Sequence, residues 1–173
     1  MTKHIFDKYP ENLKSEYNTS ILVLKKIFTD EELKEWNRDI QSITDSGVRS
    51  WEITTDMLKT SVILSDFMSG PNLIQWSKMI NKLILLSPVL AASYINNSNN
   101  FLSVTKGRHI DSMAIMLEKI YDSSWKSGNF ASKVLDHSTK FLKVLTFSEF
   151  EQIIYLLNDI TKQSYDMAVE CLE

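Results

Sequence analysis

Apolar residues recur along this chain at steps of three and four. They fall at Leu33, Trp36, Ile40 and Ile43, and the same spacing returns at Leu73, Trp76, Ile80 and Leu83. It returns again at Ile110, Met113, Leu117 and Ile120, and at Phe150, Ile153, Leu157 and Ile160. Steps of three and four put every member of a set on one stripe of an α-helix. The four stripes start 40, 37 and 40 residues apart. A second pattern follows each stripe: Ser50, Thr54, Met57 and Leu58, then Ser87, Ala91, Tyr94 and Ile95, then Ser127, Ala131, Val134 and Leu135, and last Ser164, Ala168, Cys171 and Leu172. Two patterns in fixed order, each present four times, predict a repeated unit of two helices.

A third piece closes the middle units. Ser98, Phe101, Leu102 and Val104 lie 40 residues before Ser138, Phe141, Leu142 and Val144, with Ser61 and Leu64 as a degenerate copy. A serine with an apolar pair three residues on reads as an N-capped helical turn that links one unit to the next. Thr29-x-x-Glu32 and Thr146-x-x-Glu149 are capping boxes ahead of the first and fourth stripes. Ser87-Pro88 sets a capping hydroxyl before a proline at the first helical position, and Gly70-Pro71-Asn72 and Gly107 break the chain between units. These signals predict helices near 30–46, 51–60, 72–86, 88–97, 108–122, 128–137, 147–161 and 164–172. Residues 11–27 are expected to form a leading helix.

One helical hairpin cannot bury its apolar face alone, so neighbours stack and share a core. The expected fold is therefore all-α, a right-handed α-solenoid-like array of about four helical hairpins with a leading N-terminal helix. It is read as a single helical-repeat domain over 1–173, with 1–28 as the cap and repeats at about 29–69, 70–106, 107–145 and 146–173. Ala91, Ala131 and Ala168 sit one turn after the serine, where bulk would hold the paired helix away.

Composition agrees with a packed domain: 43% of the 173 residues are hydrophobic and 24% charged. The net charge of −3 gives no overall pull toward nucleic acid or an anionic membrane. Cys171 is the only cysteine, so one chain cannot build a disulfide framework or a thiolate-rich zinc site. The N-terminus is polar, and the most apolar stretch, 79–92, carries Asn81, Lys82 and Pro88, short of the ~18 apolar residues a spanning helix needs. A cytoplasmic location is the expectation.

The unit formed by a Trp-bearing helix, then Ser, Ala one turn on, an apolar pair, and Ser with Phe-Leu resembles the helical repeats that precede von Willebrand factor A-type domains in NorD-like bacterial proteins. Trp76 to Leu102 and Met113 to Leu142 carry the likeness, with a partial match over 150–172. More broadly the chain resembles HEAT-like α-solenoids. No Asp-x-Ser-x-Ser metal-adhesion motif is present, so the A-type domain of such proteins is missing and no functional residue transfers. The resemblance implies an A-type domain protein or its associated ATPase as a partner.

Little in the chain points to catalysis. His4, His109 and His137 form no HExxH pair, and no metal, cofactor or catalytic residue is expected. Asp136-His137-Ser138 unites three triad residue types, but triad function needs convergence in space, and the repeat places them at a helix C-terminus followed by a cap. Trp36 and Trp76 fall on the core stripe. Trp51 and Trp125 lie at helix–helix turns, where each either plugs the mouth of its hairpin or serves as the better candidate for a partner contact. Lys106, Arg108, Lys126, Lys133 and Lys140 make the third unit mildly basic, which reads first as an ordinary solvated face and otherwise as a surface for an acidic partner or phosphates.

The expected function is a non-enzymatic scaffold for protein–protein interaction, with a homodimer possible across the uncapped final hairpin. A nucleic-acid-binding HEAT-like protein using the basic third unit is the alternative. A Bcl-2-like bundle that binds a partner helix is a remote one.

Overall fold

The computed structural model describes residues 9–47, 49–123 and 127–173. Among them every regular element is an α-helix: α1 (Glu11–Leu24), α2 (Asp30–Thr44), α3 (Ser50–Leu64), α4 (Gly70–Leu86), α5 (Pro88–Thr105), α6 (Ile110–Ser123), α7 (Ser127–Leu142), α8 (Phe147–Thr161) and α9 (Tyr165–Leu172). The chain divides into two compact units, Met1–Asn96 and Asn97–Glu173.

Helix starts follow the local chemistry. Thr29 and Thr146 each close a full capping box, the threonine hydroxyl accepting from the N–H of Glu32 or Glu149 while that glutamate accepts from the threonine N–H. The Ser87 hydroxyl accepts from the Leu90 N–H, and that of Ser164 from the Met167 N–H. Helix α5 ends in a Schellman turn. The Gly107 N–H donates to the Leu102 carbonyl at 2.8 Å, with Lys106 and Gly107 at φ 54° and 70°.

In the first unit, α1 packs along α3, α2 along α4, and α2 against α3. The contacts hold a nearly constant offset. The Ser20 hydroxyl donates to the Leu58 carbonyl across 38 residues, and Asn81 donates to the Asp39 carboxylate across 42. Lys78 meets Glu35 at 2.6 Å, an offset of 43. A constant offset means that helices two apart run in the same direction. Trp36, Ile40 and Ile43 of α2 and Trp76 and Ile80 of α4 fill the core with no exposed surface.

The second unit repeats this plan. α6 packs on α7 and α8 on α9, while α6 also meets α8, and α7 meets both α8 and α9. Asn158 of α8 donates to the Ser123 hydroxyl of α6 at 2.9 Å, and Lys119 lies 5.5 Å from the centre of the Tyr155 ring. These offsets, 35 and 36 residues, again set alternate helices parallel. Asn81 and Asn158 occupy the same repeat position, eight residues past Leu73 and Phe150, and both reach back to the preceding stripe helix.

One expected element is corrected. The segments beginning at Ser61, Ser98 and Ser138 are not separately capped linking turns but the last turns of α3, α5 and α7. All three serines are fully buried. Ser138 donates to the Leu135 carbonyl and Ser61 to that of Leu58, three residues back, which lets a hydroxyl sit inside a helix. Phe101 and Leu102, also fully buried, simply continue the apolar stripe of Tyr94 and Ile95. Asp136-His137-Ser138 therefore lies within α7, not at a helix end.

Candidate partner-binding site

The turn between α2 and α3 presents Trp51. It is fastened from beneath by hydroxyls. Ser50 donates to the Thr44 carbonyl at 2.6 Å, and the Thr44 and Thr54 hydroxyls meet at 3.1 Å, all three residues buried. Gly47 at φ 135° and Arg49 at φ 65° turn the chain between them. A left-handed arginine is strained by roughly 1 kcal/mol, which the buried knot below it sustains.

Trp51 projects from the first turn of α3, 48% exposed. The buried Tyr9 meets it edge to face at 6.3 Å and donates its hydroxyl to the Asp45 carboxylate. Arg49 Nε pairs with Glu52 at 3.0 Å beside it. Gly47, Arg49, Ser50, Trp51 and Glu52 line a cavity of about 340 Å³. An aromatic face beside a hydrogen-bonded hydroxyl knot, with a charged pair at its rim, suits an anchored protein contact.

The other residues singled out by sequence are not gathered there. Trp125 and Lys126 lie outside the described residues, as does His4. Lys106 and Arg108 are exposed on the turn between α5 and α6, where the Thr105 hydroxyl donates to the Arg108 carbonyl at 2.9 Å. His109, at φ 63°, stacks on Phe147 at 4.6 Å. Lys133 and Lys140 share an exposed face of α7 seven residues apart, but Asp136 stands between them and accepts from Asn97 at 3.1 Å. Lys140 donates to the Glu173 carbonyl. The basic positions thus fall on separate elements, partly offset by neighbouring acceptors.

The densest polar cluster joins α2 to α4. The Ser77 hydroxyl lies within reach of both the Asp39 carboxylate and the Ile74 carbonyl, and Asn81 donates to Asp39 at 3.3 Å. Burial pushes the Asp39 carboxyl above its usual range, opposed by the Ser77 hydrogen bond. Ser77 is fully buried, and its hydroxyl ties α4 to α2. Tyr17 is likewise raised by burial, its hydroxyl donating to Asn37 at 2.7 Å. Among the described residues no group of three or more His, Cys, Asp or Glu side chains is placed to hold a metal ion. No described helix is long and apolar enough to cross a membrane.

Sequence reasoning reached Trp51 through its position at a turn but missed Tyr9 and Arg49. Gly47, four residues before Trp51, was the available signal for a tight turn. Nothing local links Tyr9 to a residue 42 positions away. No protein-family model, no curated protein and no solved structure matches the chain.

Proposed function

We propose that this chain is a non-enzymatic helical-repeat scaffold that holds a protein partner, with Trp51 on the α2–α3 turn as an anchor. The observation that carries this reading is the stacking rule found in each unit. Alternate helices run parallel at an offset of roughly one repeat, joined by Ser20–Leu58, Asn81–Asp39 and Asn158–Ser123. That is how α-solenoid arrays are assembled, and such arrays present extended surfaces to other macromolecules. Two of the side chains that first suggest chemistry are engaged in packing: Ser138 is buried and bonds within α7, and Asp136 of α7 receives Asn97 of α5.

The likeness to the helical repeats of NorD-like proteins makes an A-type domain protein, or its associated ATPase, the first partner to try. Crosslinking and pull-down with the immobilised chain is expected to recover a discrete protein. Trp51→Ala should weaken that capture roughly tenfold or more, the loss of an aromatic anchor, while losing its edge contact with Tyr9 lowers the thermal melt by only a few degrees and leaves the chain folded. Repeated failure to recover any partner would sink the reading. Tight binding of DNA or RNA at about 50 mM salt, where phosphate contacts are strongest, would favour a nucleic-acid-binding function.

A further inference from the structure

The fourth repeat carries buried-type residues on an uncovered face. Counting from Ser50, Ser87, Ser127 and Ser164, the residues three further on are Ile53, Leu90, Phe130 and Met167. The first three are at most 3% exposed, whereas Met167 is 55% exposed. Seven further on stand Met57, Tyr94 and Val134, each with no exposed surface, and then the exposed Cys171. The positions four and eight further on stay fully buried in all four copies, ending with Ala168 and Leu172. Each second helix thus has one stripe for its own hairpin and another, at three and seven, that only the last copy leaves open.

The stripe helices behave alike. Met116 of α6 is fully buried, while Leu156, at the same repeat position on α8, is 64% exposed. Met113 and Ile120 are fully buried, whereas their counterparts Ile153 and Ile160 are partly exposed. The contacts show which way these faces look. Asn97, on the same stripe of α5 as Leu90 and Tyr94, reaches the following second helix at Asp136. Asp39, at the repeat position of Met116 and Leu156, accepts from Asn81 of the following stripe helix. The bare face of α8 and α9 is therefore the one that earlier copies turn toward the next unit.

Charge selects what can cover it. Residues 146–173 hold six carboxylates and one lysine, Lys162, a net charge of −5, while the chain as a whole carries −3. Lys162 is already paired with Asp159 at 2.6 Å. Asp166, Glu170 and Glu173 are exposed and run along α9 beside Met167 and Cys171 at helical spacing. A second copy docked through this same face would set −5 against −5. We propose that the outer face of α8 and α9 docks an amphipathic helix whose apolar stripe is flanked by lysine or arginine. The apolar stripe would take the place of the next repeat against Leu156 and Met167, and the flanking cations would meet the α9 carboxylates. This inference rests on the scaffold reading but concerns a surface other than the α2–α3 turn.

The test uses the 173-residue chain and a labelled helical peptide of ~18 residues, with leucines at helical spacing and lysines flanking them. The controls are its leucine/glutamate counterpart and a scrambled leucine/lysine order. Fluorescence anisotropy at about 150 mM salt should show the lysine peptide binding roughly tenfold or more tightly than either control. Saturating peptide should also slow alkylation of Cys171, the only cysteine, by iodoacetamide. Leu156→Asp and Met167→Asp, both at exposed positions, should each weaken binding roughly tenfold with an unchanged thermal melt.

Equal binding of the scrambled peptide, unprotected Cys171, or affinity unchanged by Leu156→Asp overturns the proposal. A dimer by light scattering that Leu156→Asp dissolves would assign the face to a second copy and also overturns it. Peptide docking should survive Trp51→Ala. The peptide can therefore fail while partner capture through Trp51 stands, and capture can fail while the peptide binds, so failure of one reading is distinguishable from failure of the other.

Discussion

Gly70 offers the sharpest test of how the helices stack. It opens α4 where that helix meets the start of α2, and a Cβ built there lies 3.0 Å from the Ile27 carbonyl oxygen, Glu32 Oε2 and Phe28 Cδ1. The Ile27 oxygen is backbone and cannot swing aside. Glu32 Oε2 accepts the Thr29 N–H at 2.7 Å, so moving it opens the α2 capping box. Forcing a methyl into such a contact costs about 1–3 kcal/mol. Replacing glycine also restricts the unfolded chain, which offsets about 0.4–1 kcal/mol. The mid-range difference is a net loss of about 1.3 kcal/mol, and for a chain of this size Tm should fall by roughly 3–5 °C. The assay is a thermal melt of Gly70→Ala followed by far-UV circular dichroism. Gly128→Ala is the control, because among the described residues its Cβ would meet only the partly buried Tyr121 ring, at 3.0 and 3.3 Å, and that ring can turn away. Its Tm should hold or rise. A Gly70→Ala protein that melts at or above the parent refutes the close approach of α4 to α2.

Three further outcomes follow from the same contacts. Because burial raises the Asp39 carboxyl in the folded state, the folded protein keeps that proton to higher pH, and the stability it contributes at acid pH is lost as pH rises through the raised value. Asp39→Asn should therefore gain up to ~1 kcal/mol over the parent at pH 7, kept small by the partial exposure of the group, and the gain should vanish near pH 3; an equal difference at both pH values would count against it. Ser138→Ala should change stability by less than about 0.5 kcal/mol in urea unfolding, because the hydroxyl bonds within its own helix, whereas a capping serine would cost about 1 kcal/mol. Ala131→Leu, at a position with no exposed surface, should lose about 1–3 kcal/mol through overpacking, and a variant as stable as the parent would show that the hairpin has room there.

The positions of the helices were legible because helix formation is read locally. Stripes at three and four, Thr-x-x-Glu boxes and Ser87-Pro88 each act within one or two turns, and α2, α4, α6 and α8 appear where those signals place them. The ends of the second helices were not. Ser98 and Ser138 carry the side chain that favours a cap, and only burial against neighbouring helices, with a carbonyl three residues back as acceptor for Ser138, makes them interior residues. The chain's repeat was likewise written in its spacing. Which apolar stripe of each second helix is covered and which is left open could not be read there, because Ile53 and Met167 are equally apolar in sequence. Burial separates them, and burial depends on what stands beside a helix in space.

The candidate site divides along the same line. Trp51 could be picked out as an aromatic at a turn, but the edge contact with Tyr9, the left-handed Arg49 and the hydroxyl knot of Thr44, Ser50 and Thr54 exist only once α2 and α3 fold back on each other. By itself the sequence determined an all-helical protein with a recurring apolar spacing, since helix periodicity and capping are short-range. The tertiary structure alone decided which polar groups are consumed in stacking and which apolar ones are left facing solvent, since both depend on neighbours some 35 to 43 residues away.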